Sequence, residues 1–199
     1  VITAVVGTLT LAFLTLFMLL EGPRWVERCY SLLPEESQPR WRAVGRDIYR
    51  TVGGYVSGNL LISLIAGVTS TVVLLGLGVP YAVALGLLVA LLDLIPLAGA
   101  TLAAVLVSTV AFLDAVTVGV VVLVFFLLYQ QLENHVLQPV VYGRTVQLSP
   151  LAVLVAVLIG SSLAGVVGAL GAIPVAGTLQ VILLDYLKHR RGRVAPSPG

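Results

Sequence analysis

Residues 81–113, YAVALGLLVALLDLIPLAGATLAAVLVSTVAFL, follow Pro80 and decide the fold. A bilayer core is crossed by about 20 helical residues, so this apolar run is too long for one straight span. It is also interrupted by Asp93, Pro96 and Gly99. Proline deletes a helical hydrogen bond and its ring clashes one turn back, so the helix is expected to stop or bend just before Pro96. Two half-length helices are predicted, joined at a break that carries an acidic side chain.

The rest of the chain agrees with that reading. Of 199 residues 59% are apolar, and the charged residues number 11 Lys+Arg and 9 Asp+Glu. Soluble domains carry about 25% charge. Residues 21–50 and 185–199 hold most of these charges, leaving only Asp93, Asp114, Glu133 and Arg144 between Thr51 and Leu184. No water-exposed surface is that poor in charge, so the chain is predicted to be an all-α, polytopic membrane protein with the lipid bilayer as its main partner. Its basic residues flank apolar spans instead of forming a patch, which sets nucleic acid aside. The lone Cys29 cannot form an internal disulfide. HExxH, P-loop and GxSxG motifs are absent, and no cofactor or metal ligand set is expected beyond a coupling ion, proton or sodium.

The predicted organisation is a transmembrane helix over 1–20, a cytoplasmic polar linker over 21–51, a transmembrane transport core over 52–187 and a basic, disordered cytoplasmic tail over 188–199. The chain opens inside an apolar run at Val1, which suggests a portion of a longer protein. In the linker Trp41, Val44, Ile48 and Val52 share one helical face while Arg42, Arg46 and Arg50 share another. That pattern fits an amphipathic helix on the membrane surface, or a connecting helix packed on its own protein. In the next span Gly54 and Gly58 lie four apart, a spacing that lets helices approach closely in lipid. Gly160, Gly165 and Gly168 are assigned to helix packing as well, with Gly160, Ala164, Gly168 and Ala172 on one helical line. Such faces serve intrachain packing and homo-oligomerisation equally.

A second broken segment is predicted over Pro150 to Leu184, interrupted at Pro174 with Gly177 just beyond. The pair Ile95-Pro96-Leu-Ala-Gly99 and Ile173-Pro174-Val-Ala-Gly177 suggests an internal repeat, with Pro80 matching Pro150 and eight extra residues in the second copy. Basic residues 24–50 and 188–193 place both clusters in the cytoplasm by the positive-inside rule. Two hairpins broken at corresponding prolines are the expected outcome, either re-entrant from opposite faces, as in inverted-repeat transporters, or full crossing pairs, between which charge placement does not choose.

Asp93 is the leading site candidate, because an intramembrane aspartate is costly and usually faces a cavity or a partner. The substrate or ion path is assigned to Asp93, Pro96, Gly99, Pro174 and Gly177. A polar stripe of Gln130, Asn134 and Gln138, joined by Glu133, is expected to end at Pro139. This stripe is assigned to gating and loop anchoring, with His135 beside it and Arg144 as counter-charge. Tyr129 is read as interfacial, Trp25 as a membrane anchor, and Asp114 as solvating a helix end.

The run Glu133, Asn134, Gln138, Pro139, Gly143 and Arg144, with Pro150, the Gly-rich tract and the two Ile-Pro motifs, resembles the autoinducer-2 exporter family of bacterial membrane proteins. The resemblance runs from the first span to about Leu184. It implies an inner-membrane secondary transporter without ATP hydrolysis, exporting a small polar solute such as autoinducer-2 or exchanging sodium or lithium for protons. Where the family often has an aromatic after Ile-Pro, this chain has Leu97. A non-transporting scaffold is the remaining alternative.

Overall fold

The computed structural model describes residues 2–142 and 148–194, and the side chains of 5–142 and 148–190 within them. The described residues are helical with no strands. The chain divides into two compact units, Val1–Asp47 and Ile48–Gly199.

In the first unit, α1 covers Ile2–Ser31 and therefore continues eleven residues past the expected end at Leu20, with Pro23 inside it. One lost hydrogen bond does not outweigh the ladder on both sides of Pro23. The real break comes at Pro34, before a 3-10 turn at Glu35–Ser37. Helix α2, Gln38–Gly76, then starts with Pro39 in its first turn, where proline's missing N–H costs nothing. The amphipathic helix and the second span are thus one helix. Its first residues pack on α1: Val44 is buried, a side chain at Gly45 would strike the Tyr30 ring, and the Arg42 guanidinium grips Glu27 with two bonds of 2.5 and 2.6 Å. Arg42 is therefore spent on its own protein, which favours the packed connecting helix over a headgroup-facing role for this arginine.

The second unit is built on the remainder of α2. Helices α3 (Ala82–Asp93) and α4 (Gly99–Asp114) form the predicted hairpin, and α5 (Val116–Leu132) follows Asp114 after a single extended residue, Ala115. A five-residue π turn, Glu133–Leu137, leads into α6, Gln138–Tyr142. Pro139 does not end the helix as expected, because the wider π turn just before it accommodates a residue without an N–H. The core between α2, α3, α4 and α5 holds Leu74, Val89, Ala103, Val107, Ala111, Val122 and Phe126, all buried. Small residues set the spacing. A side chain at Gly67 would meet Ala90, one at Gly86 would meet Thr71, and one at Gly119 would meet Phe112, so these backbones approach where dispersion is the main attraction available.

Helix α7, Pro150–Val194, holds the largest departure from expectation. Its break lies at Ala164 (φ −141°, ψ 23°) and Gly165 (φ 58°, ψ −137°), and Pro174 sits within the continuing helix. Gly165 is consequently a turn residue and has no close neighbour, whereas Gly160 and Gly168 do pack, each against the other's carbonyl. The small residues lie symmetrically about 164–165, so folding there lays backbone on backbone; Gly160 and Gly168 face each other instead of lining one helix. The internal repeat changes register accordingly. Gly165 stands 15 residues after Pro150, as Pro96 stands 16 after Pro80, so the breaks correspond without an insertion and Ile173-Pro174 has no counterpart role. Past Pro174, α7 continues through residues 188–194 as helix.

Both hairpins run along α2. Gly67 against Ala90 and Gly86 against Thr71 make α3 antiparallel to it, and Asn59 reaches Leu94 at the hairpin tip. Gly177, in the second arm of α7, lies against Thr51 of α2, and Ile173 lines one cavity with Tyr55, whereas the turn at Gly165 is exposed with no close neighbour. Among the described residues four helical stretches, Val5–Ser31, Glu35–Gly76, Val116–Tyr142 and Pro150–Arg190, are long and apolar enough to cross a membrane, the last of them folded at Gly165, whereas α3 and α4 are shorter.

Two substitutions test these backbone assignments. Gly165→Ala forces a conformation reserved to glycine and is expected to cost about 1–3 kcal/mol, read as a lowered thermal midpoint in detergent. Gly99→Ala drives a methyl into the Leu92 carbonyl and is expected to lower the midpoint similarly or further, whereas Gly171→Ala, with open space around it, leaves the midpoint unchanged.

Candidate functional site

Asp93 is the last residue of α3 and is 8% exposed, with the buried Ser63 of α2 beside it. The chain then leaves the helix for five residues, turning at Pro96 and at Leu97, whose φ of 66° is unusual for a branched residue. Gly99 restarts the helix hard against the Leu92 carbonyl and the Asp93 backbone, so any side chain there would push the two arms apart. The tip is stitched by Ile95 N–H to Leu92 O and Gly99 N–H to Ile95 O, both 2.9 Å. The remaining Leu94 carbonyl accepts the Asn59 amide at 3.1 Å. Unwound backbone in lipid requires such partners.

Opposite the tip stands the end of α5. Gln138 comes five residues after Glu133, the interval that a π turn brings to one face, and its amide donates to Glu133 Oε1 and to Asn134 Oδ1, each at 3.2 Å. Glu133 is 7% exposed, and its Oε2 has no hydrogen-bond partner among the described residues. Between the two elements lies a cavity of about 270 Å³, lined from the hairpin by Asp93, Pro96, Leu97 and Thr101 and from α5–α6 by Gln130, Glu133, Asn134 and Gln138. Two carboxyl groups and three amides face it, and no basic side chain does among the described residues. Such a lining offers acceptors to a hydroxylated or cationic solute and repels anions. A second cavity of about 320 Å³, lined by Tyr55, Tyr142, Pro150, Val153 and Ile173, shares Pro96, Leu97 and Gln138 with the first.

The structure thus gathers Asp93, Pro96, Gln130, Glu133, Asn134 and Gln138 around one cavity, with Gly99 closing the tip behind it. Pro150 begins α7, where the Ser149 hydroxyl accepts the Ala152 N–H at 3.2 Å, and it lines the second cavity. Pro139 lies in α6. Pro174 and Gly177 line neither cavity, because the break they were expected to mark occurs at Gly165. His135 is exposed, with its Nδ1 2.9 Å from the Gln131 carbonyl, so it is not part of the polar cluster. Tyr129 is buried in the core instead of interfacial. Gly58 packs against Tyr142, and Gly54 lies half-buried one turn earlier. Gly143 and Arg144 lie outside the described residues. Asn59, Tyr55 and Tyr142 escaped the sequence reading. The available signal was that Asn59 is the one amide between residues 52 and 79.

Comparison with known proteins finds transport proteins along nearly the whole chain. The family model for AI-2E family transporters matches residues 1–188. YrrI of Bacillus subtilis, named as a candidate transport protein, is 30% identical over 181 residues, covering 91% of this chain and 51% of that one. MT0215 of Mycobacterium tuberculosis, similarly named, is 38% identical over 87% of this chain and 48% of its own. The AI-2 transport protein TqsA of Escherichia coli is 30% identical over 84% of this chain and 48% of its own. The chain spans about half the length of the curated relatives it matches. With an all-helical architecture, several apolar helices and a family match along nearly its whole length, this chain belongs to the AI-2E family of transporters.

Proposed function

We propose that the chain carries the solute path of a secondary transporter in the bacterial inner membrane. A small polar solute passes the acidic cavity between the Pro96 hairpin and α5–α6. The observation that carries this reading is the pairing of two buried carboxyl groups, Asp93 and Glu133, in the lining of one cavity, with one Glu133 oxygen unpartnered among the described residues. Buried acidic groups within an apolar region are costly and mark pathways. Autoinducer-2 is the favoured solute, supported by the 30% identity to TqsA and by a lining suited to hydroxyl groups.

One observation favours a second reading, a sodium or lithium/proton antiporter. Two carboxyl groups without a basic neighbour among the described residues are also what a monovalent cation or a proton would occupy. In either case the basic ends lie in the cytoplasm, with the first hairpin dipping in from outside and the second from inside. A scaffold would need neither carboxyl group.

Vesicles reconstituted with the intact protein separate these readings. For the exporter, Asp93→Asn and Glu133→Gln are each expected to lower efflux of autoinducer-2 about tenfold or more, while Asp114→Asn at an exposed helix end leaves it unchanged. Sodium-dependent proton movement with no solute efflux would establish the antiporter instead. Full activity of both cavity variants would remove the site altogether. The topology is checked by membrane-impermeant thiol labelling in a Cys29→Ser background. Cysteines at Leu113 and at Leu187 are expected to react from opposite faces.

A further inference from the structure

The two cavities share three lining residues, Pro96 and Leu97 from the hairpin tip and Gln138 from α6. Gln138 is fixed by its bonds to Glu133 and Asn134. The tip is held differently. Asn59 donates its Nδ2 to the Leu94 carbonyl at 3.1 Å, and its Oδ1 accepts the Tyr142 hydroxyl at 3.0 Å. A single amide therefore ties the hairpin tip to the end of α6. Tyr142 in turn stacks on Tyr55, with ring centroids 5.6 Å apart and planes 13° from parallel. It can lie there because residue 58 is glycine, where a Cβ would come within 2.9 Å of the Tyr142 ring.

We propose that Asn59 and Tyr142 are positioning residues that latch the hairpin tip against α5–α6. In the latched state Pro96, Leu97 and Gln138 keep the two cavities apart, and release of the Tyr142 hydroxyl from Asn59 frees the tip and joins them. This rests on the reading of the cavities as a transport path. The chemistry is specific to an amide, which is a donor at one end and an acceptor at the other. A carboxylate could hold Tyr142 but not Leu94, and an apolar residue could hold neither. Bonds between helices in lipid have little water to compete with them, yet they are modest in strength, which suits a tie that must open.

The test measures the distance between spin labels on the tip and on α6, attached to Ala98→Cys and Val140→Cys in the intact Cys29→Ser protein. Both positions are exposed. Tyr142→Phe, which keeps the stacked ring and loses only the hydroxyl, and Asn59→Leu are each expected to raise a longer-distance population about threefold or more. Asn59→Asp should do the same, and the double variant Asn59→Leu with Tyr142→Phe should not exceed Asn59→Leu alone, since both break one tie. Distance distributions unchanged in Tyr142→Phe and Asn59→Leu, or effects that multiply in the double variant, overturn the latch. The distances involve no solute. A latch that fails while the parent protein still transports counts against this inference alone, and an intact latch in a protein that moves nothing counts against the transport reading alone.

Discussion

A buried peptide group that leaves a helix must find another hydrogen-bond partner, and this constraint governs the second unit. At Pro96 the α3–α4 hairpin gives up regular helix for five residues. The turn is closed by short-range bonds within the tip, by the arms meeting at Gly99, and by the Asn59 amide that reaches the Leu94 carbonyl from α2. Each device needs a particular residue: a proline to break the helix, a glycine to allow contact, and an amide to supply a donor. At Gly165 the constraint is met more economically, by one backbone conformation open to glycine and a direct apposition of Gly160 and Gly168.

Close apposition is also how the helices hold together. Lipid tails are as apolar as leucine, so burying a large side chain gains little, and the contacts that matter are those where backbones approach. Gly67 with Ala90 and Gly86 with Thr71 fix α3 on α2, while Gly119 with Phe112 fixes α5 on α4. The large apolar residues Leu64, Leu75, Leu106 and Leu128 are correspondingly exposed, on the faces that lipid covers. This scaffold holds Asp93 and Glu133 near one another, a costly arrangement that packing alone does not require.

The class of protein was legible from charge placement, because four charged residues in the 134 between Thr51 and Leu184 leave no alternative to lipid. The hairpin at Pro96 was legible too, since proline followed by glycine inside an apolar run is a local signal. So was the grouping of Gln130, Asn134 and Gln138, which follows from helical spacing, although the π turn that brings Glu133 into line with Gln138 was not. The second break, expected at Pro174 from the proline signal, lies at Gly165 instead. A helix with good packing on both sides keeps Pro174, while the turn goes to Gly165, where small residues on either side can meet.

By itself, then, the amino-acid sequence determined what is local or compositional: helices, lipid as solvent, one break and a costly aspartate beside it. The tertiary structure decided what depends on residues far apart in the chain. Asn59 and Tyr142, 83 positions apart, share a hydrogen bond, and Asp93 and Glu133 share a cavity. Neither relation has a period or a motif, because each arises only when antiparallel helices set their register through glycine contacts. That register is a property of the packed helices together.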